Sequence, residues 1–217
     1  YVDLSLASWQ STAAAPASTT YYQSVNICCN SWMTKNLDVD HYRNWEPIPK
    51  VEGSEQWAQL TTGAYCYYNN DSTTYAAIYG KLYNWHAVND SRGLAPEGWY
   101  VPTDFECTTT ADCLGGDTIA GGLLKEIGTT YWNTPNTGAS NLSRFTGLPG
   151  GFRDSDGTFN EIGDYGNFWS STENSTVNAW YRYLLYSLDN VVKDLIGKGS
   201  GLSVRCLKDW KFGSYTF

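Results

Sequence analysis

The sequence predicts an α+β fold, with strands near the start, two helices in the middle, and strands and turns in the second half. The chain has 217 residues and 41% apolar content, which suffices for one large domain or two small ones. Its 21 glycines, together with frequent Asn, Asp, Ser and Thr, indicate many turns and long loops. Helices that are grouped apart from most of the strands are typical of the α+β class.

The folded part of the chain is predicted to span residues 24–209. Residues 1–23 include the low-complexity run STAAAPASTTYY, which has no hydrophobic periodicity and predicts an N-terminal arm or linker. Residues 210–217 are assigned to a C-terminal tail. The first residue is Tyr1 rather than Met, so we interpret any export signal as removed.

Aromatic and β-branched runs bounded by turn residues predict the strands. They lie at 31–39, 63–69 and 167–173, with a hairpin between GGFR and TFNEI. A proline-marked loop at 42–51 separates the first two strands, and the sequence DSDG at 154–157 supplies the hairpin turn. Asp154, Asp156 and Asn160 also match part of a calcium loop. The spacing is incomplete and the final glutamate is missing, which favours a solvated acidic turn over a calcium site, so we predict no cofactor.

An amphipathic helix is predicted at 75–90, despite Gly80. Four apolar residues recur there at helical intervals: Ile78, Leu82, Trp85 and Val88. His86 lies on this helix, and as a lone histidine it is expected to be a packed core residue rather than a catalyst.

A second helix has a clearer beginning and end. Thr103, followed three residues later by Glu106, forms a capping-box signature, and the sequence LGG at 114–116 predicts the end of the helix. Short helical structure is also predicted at 120–128.

The six cysteines favour an oxidising location. No CxxC or Cys/His ligand spacing occurs, so disulfides are preferred to zinc, with buried thiols as the alternative. Cys28 and Cys29 are adjacent and poorly placed to pair with each other, so at least one is expected to reach a distant partner such as Cys66. Cys107 and Cys113 are too far apart along a regular helix for an easy bond.

Composition excludes some partners. The chain has 14 Lys plus Arg against 22 Asp plus Glu and no basic run, which disfavours nucleic acid and anionic membranes. No apolar run reaches membrane-spanning length. Ten Trp and 17 Tyr are typical of extracellular recognition domains and carbohydrate binders, although aromatic residues also fill cores.

The segment from Trp169 to Leu207 carries two superposed patterns. In an extended strand, Trp180, Arg182, Leu184 and Tyr186 share one face, and Tyr181, Tyr183, Leu185 and Ser187 share the other. Both rows are rich in large side chains. The second row is therefore either buried under another layer or a contact surface in its own right.

Several motifs of the chain occur together in a known family. They are WMTKNLDV, IYGKLYNWHAVND, GLAPEGWYVPTDFE, GLPGGFRDSDGTF, NFWSSTE and GLSVRCL. Residues 24–209 thus resemble the FISUMP family, the Fibrobacter succinogenes major paralogous domain. The resemblance implies a C-type-lectin-like fold, shared with formylglycine-generating enzymes, with two main helices, small antiparallel sheets and long loops. It also implies a secreted or surface-attached bacterial protein. In the second helix, Cys107 and Cys113 replace a Trp and an aromatic or aliphatic residue that are typical of this family, and residues before Val25 match nothing in it.

The resemblance also implies a variable surface. Related domains carry an asparagine-rich strand and loop in this region. This chain keeps some of their residues but changes those between them, and the retained ones are Arg182, Leu184, Tyr186, Lys193, Lys198 and the GLSVRC end. Substitution at the adenines of AAC codons yields the residue types found, as in variable proteins of diversity-generating retroelements. The implied ligand-binding residues are Tyr181, Tyr183, Leu185, Ser187, Leu188, Val192, Asp194, Leu195, Ile196 and Gly197.

Three functions remain open from the sequence. The first is a ligand-binding or adhesion protein, whose partner is a protein or glycan at a cell surface. The second is a structural subunit of a bacterial surface filament or sheath, whose partners are copies of itself. An enzyme is the weakest option, because there are only two histidines and no Ser-His-Asp, HExxH or paired-cysteine motif, so no catalytic or metal-binding residue is predicted.

Overall fold

The computed structural model describes residues 22–210, which form a mixed domain of helices and sheets in agreement with the α+β class. Within this range there are five helices and twelve strands. The N-terminal arm predicted at 1–23 lies outside the described residues except for Tyr22 and Gln23. The tail predicted at 210–217 lies outside them except for Trp210.

The strands form two sheets. The first contains β1 (Ser24–Ile27), β2 (Asn30–Met33), β5 (Trp99–Tyr100) and β12 (Leu207–Lys208), in the spatial order β1-β2-β12-β5. The second contains β3 (Tyr65–Cys66), β4 (Leu82–Asn84), β6 (Gly150–Arg153), β7 (Phe159–Ile162), β8 (Tyr165–Glu173), β9 (Asn178–Leu185), β10 (Val191–Gly197) and β11 (Gly201–Leu202). Its spatial order is β10-β9-β8-β6-β11-β4-β3, and β7 pairs with β6. All strand pairs are antiparallel except β6 with β8.

The helices are short. They are α1 (Ser54–Ala58), α2 (Ser72–Tyr79), α3 (Trp85–Val88), α4 (Asp104–Cys113) and α5 (Asp117–Leu124). The capping box is confirmed, since the Thr103 hydroxyl accepts a bond from the Glu106 amide and the Glu106 carboxylate accepts one from the Thr103 amide. The helix predicted at 120–128 exists but begins at Asp117 and ends at Leu124.

The prediction of a single helix at 75–90 is wrong. Helix α2 ends at Tyr79, and the segment continues through strand β4 into α3. Gly80 has φ +70, and a Cβ at that position would lie 3.0 Å from the Leu37 carbonyl oxygen, so the backbone turns out of the helix there. Asn84 then begins α3 by accepting a hydrogen bond from the Ala87 amide through its side chain.

Two predicted strands are shorter than expected. The strand predicted at 31–39 ends at Met33, although the Leu37 amide still donates to the Val204 carbonyl. The strand predicted at 63–69 is only β3, because a 3-10 turn follows at Tyr68–Asn70 and Asn69 has φ +51. The other strand predictions are confirmed: β6 and β7 flank the DSDG turn, and β8 contains 167–173.

One disulfide joins Cys28 to Cys113, at the end of α4. The prediction that one of the adjacent cysteines reaches a distant partner is therefore confirmed for Cys28. The suggested partner Cys66 is wrong, because Cys66 is buried in another part of the core as a free thiol. Cys107 does not pair with Cys113, in line with their separation on α4. The bond closes a loop over a sequence separation of 85 and ties the start of the first sheet to α4.

Six Lys and Arg side chains are buried and hold the loops together. They are Lys81, Lys125, Arg153, Arg182, Lys198 and Arg205. Arg153 shows the pattern: its guanidinium donates to the carbonyls of Val51, Glu52 and Gly157 and lies 4.5 Å from the centre of the Trp57 ring. A hydrogen bond to a charged group stabilises the folded state by about 1.5–3 kcal/mol. The buried cations therefore satisfy and stabilise backbone carbonyls in segments that lack helix or sheet hydrogen bonds.

Candidate ligand-binding face

The two faces of the β9–β10 hairpin differ in their side chains. The antiparallel register pairs Asp194 with Tyr181 and Val192 with Tyr183, which puts these four side chains on one face of the sheet. In the neighbouring strand, Trp169 pairs with Tyr181, Asn167 with Tyr183 and Tyr165 with Leu185. We call this surface the tyrosine face and define it by Tyr165, Trp169, Tyr181, Tyr183, Leu185, Val192, Asp194 and Ile196.

The opposite surface, the helix face, packs against α4 and α5. It contains Phe168, Trp180, Arg182, Leu184, Val191, Lys193 and Leu195. The two rows predicted for β9 are therefore confirmed as far as the strand extends. Arg182 is bonded to the Asp104 carboxylate at 2.6 Å and to the Thr108 hydroxyl at 2.8 Å, both on α4. Lys193 reaches the other carboxylate oxygen of Asp104 at 2.7 Å.

The tyrosine face is a row of aromatic rings. The ring centres of Tyr181 and Tyr183 are 5.8 Å apart, and Tyr183 and Tyr165 are 5.4 Å apart. At the other end of the row, Trp169 contacts Tyr181 edge-on at 6.3 Å. Trp169 is fixed in turn, because its indole N–H donates to the Tyr83 carbonyl at 2.8 Å. Such aromatic pairs stabilise one another by about 0.5–1.5 kcal/mol beyond area burial, so the rings form a rigid surface.

Burial changes along this row. Trp169 is buried, whereas Tyr181 and Ile196 are half-buried and pack against the main core. Tyr183 and Val192 are half-buried without belonging to a core cluster, and Asp194 is exposed. The outer part of the face is therefore accessible to a partner, while Tyr181 and Ile196 also serve the core.

Two predicted contact residues lie in the turn that follows β9. Ser187 is half-buried and Leu188 is 43% exposed. Lys125 stabilises the turn: its ammonium donates to the carbonyls of Leu185 at 2.9 Å and Leu188 at 2.6 Å, and also to that of Thr137 at 2.8 Å. Burial lowers the pKa of Lys125 to about 8. The turn is thus anchored rather than free to move.

The remaining two predicted contact residues lie away from the tyrosine face. Leu195 pairs with Trp180, so its side chain is on the helix face. Gly197 ends β10 opposite Asn178 and has open space where a Cβ would be. The structure therefore brings Tyr181, Tyr183, Leu185, Val192, Asp194 and Ile196 together, and places Ser187 and Leu188 at one end.

Acidic groups surround the tyrosine face. Burial first, and then the Asp194 and Glu161 carboxylates, raise the pKa of Tyr183 above its ordinary value. The pKa of Tyr181 is also raised, chiefly by burial and next by Asp194, and that of Tyr165 by burial and Glu161. The pKa of Glu161 itself is raised by burial and by the neighbouring Asp164 carboxylate. The face therefore carries a negative potential.

The other candidate sites have different roles. The Asp154 and Asp156 carboxylates accept bonds from Ser155 and Thr158 within their own turn, and the described residues contain no group of three or more His, Cys, Asp or Glu suited to a metal. His86 is half-buried in α3, where burial and Lys198 lower its pKa. A cavity of about 50 Å³ beside Cys107 is lined mainly by apolar side chains, and it is too small for an organic ligand.

Sequence reasoning missed three residues of this region. Tyr165 and Glu161 follow the DSDG turn, and their approach to β9 depends on long-range pairing that no local pattern reveals. Lys125 lies within a predicted helical segment, where it has the appearance of an exposed residue. A signal was available only for Tyr165, since it precedes the predicted strand at 167–173 by two residues and therefore continues its alternation.

Comparison with known proteins identifies the family. No curated protein and no solved structure matched the chain. Among residues 22–210, no helix is both long and apolar enough to cross a membrane. The model of the Fibrobacter succinogenes major domain matches residues 25–208, which include β1 through β12 except for the first residue of β1. The chain therefore belongs to the Fibrobacter succinogenes major domain family.

Proposed function

We propose that this protein is a secreted or surface-attached ligand-binding protein, and that the tyrosine face of a C-type-lectin-like scaffold is its contact surface. The observation that carries the proposal is a row of half-buried tyrosines on an outer hairpin whose opposite face is bonded to α4. The Cys28–Cys113 disulfide supports an oxidising, extracellular location.

Tyrosine suits this role on physical grounds. Each ring offers a large amphipathic area with few rotatable bonds, so little conformational entropy is lost when a partner binds. The contacts between Tyr165, Tyr181 and Tyr183 restrict the rings further before binding. A pre-organised surface of this kind gains affinity because the ordering cost is met during folding.

The binding proposal is tested by substitution on the outer part of the face. Fluorescently labelled protein is applied to a panel of intact bacterial cells of different species, and bound fluorescence is measured by flow cytometry. Tyr183→Ala is expected to reduce binding by about tenfold or more, as removal of a central aromatic contact does. Trp45→Ala is the matched control, because Trp45 is a 59% exposed aromatic away from this face. Equal binding by both variants would contradict the proposal.

We further propose that the contact residues are diversified by a retroelement. The alternation of retained and changed residues fits the register, since Arg182, Leu184 and Lys193 face the helices while Tyr181, Tyr183 and Val192 face outward. Leu195 departs from this separation. The gene provides the test: every codon at the ten predicted positions should end in C or T, and a near-copy of the 3′ end should lie near a reverse transcriptase gene. Codons ending in A or G would reject diversification.

Subunit assembly is the second candidate function. Strands β1 and β10 are at the edges of their sheets, and each presents one side of its backbone without a strand partner among residues 22–210. Such edges accept an added strand from a second copy. Size-exclusion chromatography and electron microscopy at micromolar concentration test this function, because polymers would support it and a stable monomer would reject it.

We propose no catalytic role for the tyrosine face. His86 is in α3, and His41 directly precedes the 42–51 loop and is bonded to Asp40, so neither belongs to the hairpin. The nearest acid-base groups are the carboxylates of Asp194 and Glu161, and among the described residues neither is hydrogen-bonded to a nucleophile or to a second base. Binding alone is therefore the activity that the arrangement of residues supports.

A further inference from the structure

The distribution of charge narrows the kind of ligand that the tyrosine face can take. Of the 14 Lys and Arg in the chain, six are buried. Three of these six, Lys81, Arg182 and Lys198, are paired with Asp38, Asp104 and Glu173. Of the surface cations, Lys50 is paired with Glu52, Arg92 with Asp90 and Glu46, and Lys193 with Asp104. Each of these paired cations offsets its own carboxylates, so the net charge of −8 rests on carboxylates that have no cationic partner.

The tyrosine face concentrates this negative charge. Asp194 lies directly across from Tyr181 in the strand pairing, a position that puts their Cβ atoms about 5 Å apart. Glu161 is in strand β7 and Asp164 is in the turn between β7 and β8, directly before Tyr165. The Asp164 carbonyl accepts a bond from the Tyr186 amide. Among residues 22–210, none of these three carboxylates forms a salt bridge.

The cations of the hairpin do not compensate for these carboxylates. Arg182 and Lys193 both lie on the helix face, where they bind Asp104. Lys198, beyond the end of β10, is bonded to Glu173 and to the Thr176 carbonyl. Within residues 22–210, the outer rings of the tyrosine face and the carboxylates of Asp194 and Glu161 thus have no cation of their own, while the Asp164 carboxylate accepts a bond from the Asn133 amide.

Elsewhere in the chain, two cations are bound by a tyrosine ring together with a carboxylate. The Lys81 ammonium is bonded to the Asp38 carboxylate and lies 5.1 Å from the ring centre of Tyr65 and 5.2 Å from that of Tyr67. The Arg92 guanidinium is bonded to Asp90 and lies 4.0 Å from the ring centre of Tyr42. In both places a tyrosine ring and a carboxylate together bind a cation.

We propose that the tyrosine face binds a Lys or Arg side chain presented by a protein ligand, with the rings of Tyr181 and Tyr183 beneath the cation and Asp194 and Glu161 beside it. This inference rests on the proposed binding function. A cation placed over an aromatic ring stabilises the complex by about 0.5–2 kcal/mol, and a carboxylate within hydrogen-bond distance of the cation stabilises it further. Neutral and anionic glycans have no cation to interact with the rings or the carboxylates, so a basic protein segment fits the face better.

An array of short peptides tests the ligand class. Matched sets carry Lys or Arg, Gln at the same positions, or Glu at those positions, and the full chain is applied at about 0.15 M salt to screen weak surface attraction. The basic set is expected to be bound in excess over the Gln set. Equal binding of the basic and Gln sets, or no binding to either, would overturn the inference.

Substitutions separate this inference from the proposed function. Asp194→Asn is expected to weaken binding of the basic peptides by about fivefold or more. Asp112→Asn, which removes the same charge from an exposed position on α4, should leave binding unchanged. If Tyr183→Ala abolishes binding but Asp194→Asn acts like Asp112→Asn, the contact face stands and the cationic ligand is rejected. If neither Tyr183→Ala nor Asp194→Asn weakens peptide binding, both proposals fail.

Discussion

The two faces of strand β9 alternate along the same eight residues, yet their side chains make different kinds of contact. On the helix face, Arg182 is 6% exposed and is bonded to a carboxylate and a hydroxyl of α4. On the tyrosine face, Tyr183 is half-buried and contacts other aromatic rings. The comparison shows how alternate residues of one strand can fix a scaffold and present a surface at the same time.

The difference has an energetic consequence. Removing one partner of a buried ion pair strongly destabilises the folded protein, because the other charge stays buried with less compensation. A half-exposed side chain on a rigid sheet loses only part of its contact area when it is shortened. Substitutions should therefore cost much more on the helix face than on the outer part of the tyrosine face.

The largest effect is expected for Arg182→Met. This change leaves the Asp104 carboxylate, which is 14% exposed, with Lys193 as its remaining ion-pair partner. We expect the free energy of unfolding to fall by about 3 kcal/mol, measured by urea denaturation. Lys193→Met removes the more exposed partner of the same carboxylate and should cost less than about 1 kcal/mol. Equal losses in the two variants would contradict the difference in burial.

Lys125→Met is expected to lower the free energy of unfolding by about 2 kcal/mol. The change removes the donor for three carbonyls, two of which belong to Leu185 and Leu188 at the end of β9. Hydrogen exchange should increase in the turn at 186–190 before it increases elsewhere. Lys35→Met, at an exposed lysine, is the control and should stay within about 0.5 kcal/mol of the wild type.

The contribution of Lys125 also depends on pH. Its folded-state pKa is lowered to about 8, whereas an unfolded lysine titrates near about 10.4. Between these values the unfolded state binds more protons, so stability rises as pH rises. The difference in free energy of unfolding between the wild type and Lys125→Met should therefore grow from about pH 8 to about pH 10 and be constant below that range. A constant difference throughout would contradict the lowered pKa.

Within the tyrosine face, Tyr181→Ala should cost more than Tyr183→Ala. Tyr181 packs against the main core and contacts Trp169, whereas Tyr183 belongs to no core cluster. We expect losses of about 2 kcal/mol for Tyr181→Ala and below about 1 kcal/mol for Tyr183→Ala in urea denaturation. The reverse order would show that the outer ring, rather than the inner one, supports the fold.

Local signals in the sequence were sufficient for some elements. The capping box at Thr103 and Glu106 places the start of α4, and the DSDG turn places the β6–β7 hairpin, because each acts through neighbouring residues. The alternation in β9 also assigns its two faces correctly, since strand side chains alternate whatever their partners are.

Other features depend on contacts between distant residues. Helical spacing at 75–90 suggested one helix, but Gly80 and the pairing of β4 with β3 and β11 break it. Similarly, its difference from the family predicts that Leu195 is a contact residue, whereas its register with Trp180 puts its side chain on the helix face. Register is set by long-range pairing, so sequence variation alone could not place that side chain.

The smallest effect is expected when the outer tyrosine face is changed as a unit. A triple variant with Tyr183→Ser, Val192→Thr and Asp194→Asn alters two half-buried residues and one exposed residue on neighbouring strands. Because the helix-face bonds of Arg182 and Lys193 remain, we expect a loss of about 1 kcal/mol or less, measured by urea denaturation, with unchanged far-UV circular dichroism. Ligand binding should nevertheless be lost. A loss of stability as large as that of Arg182→Met would mean that these residues are core, and the contact surface would then have to lie elsewhere on the molecule.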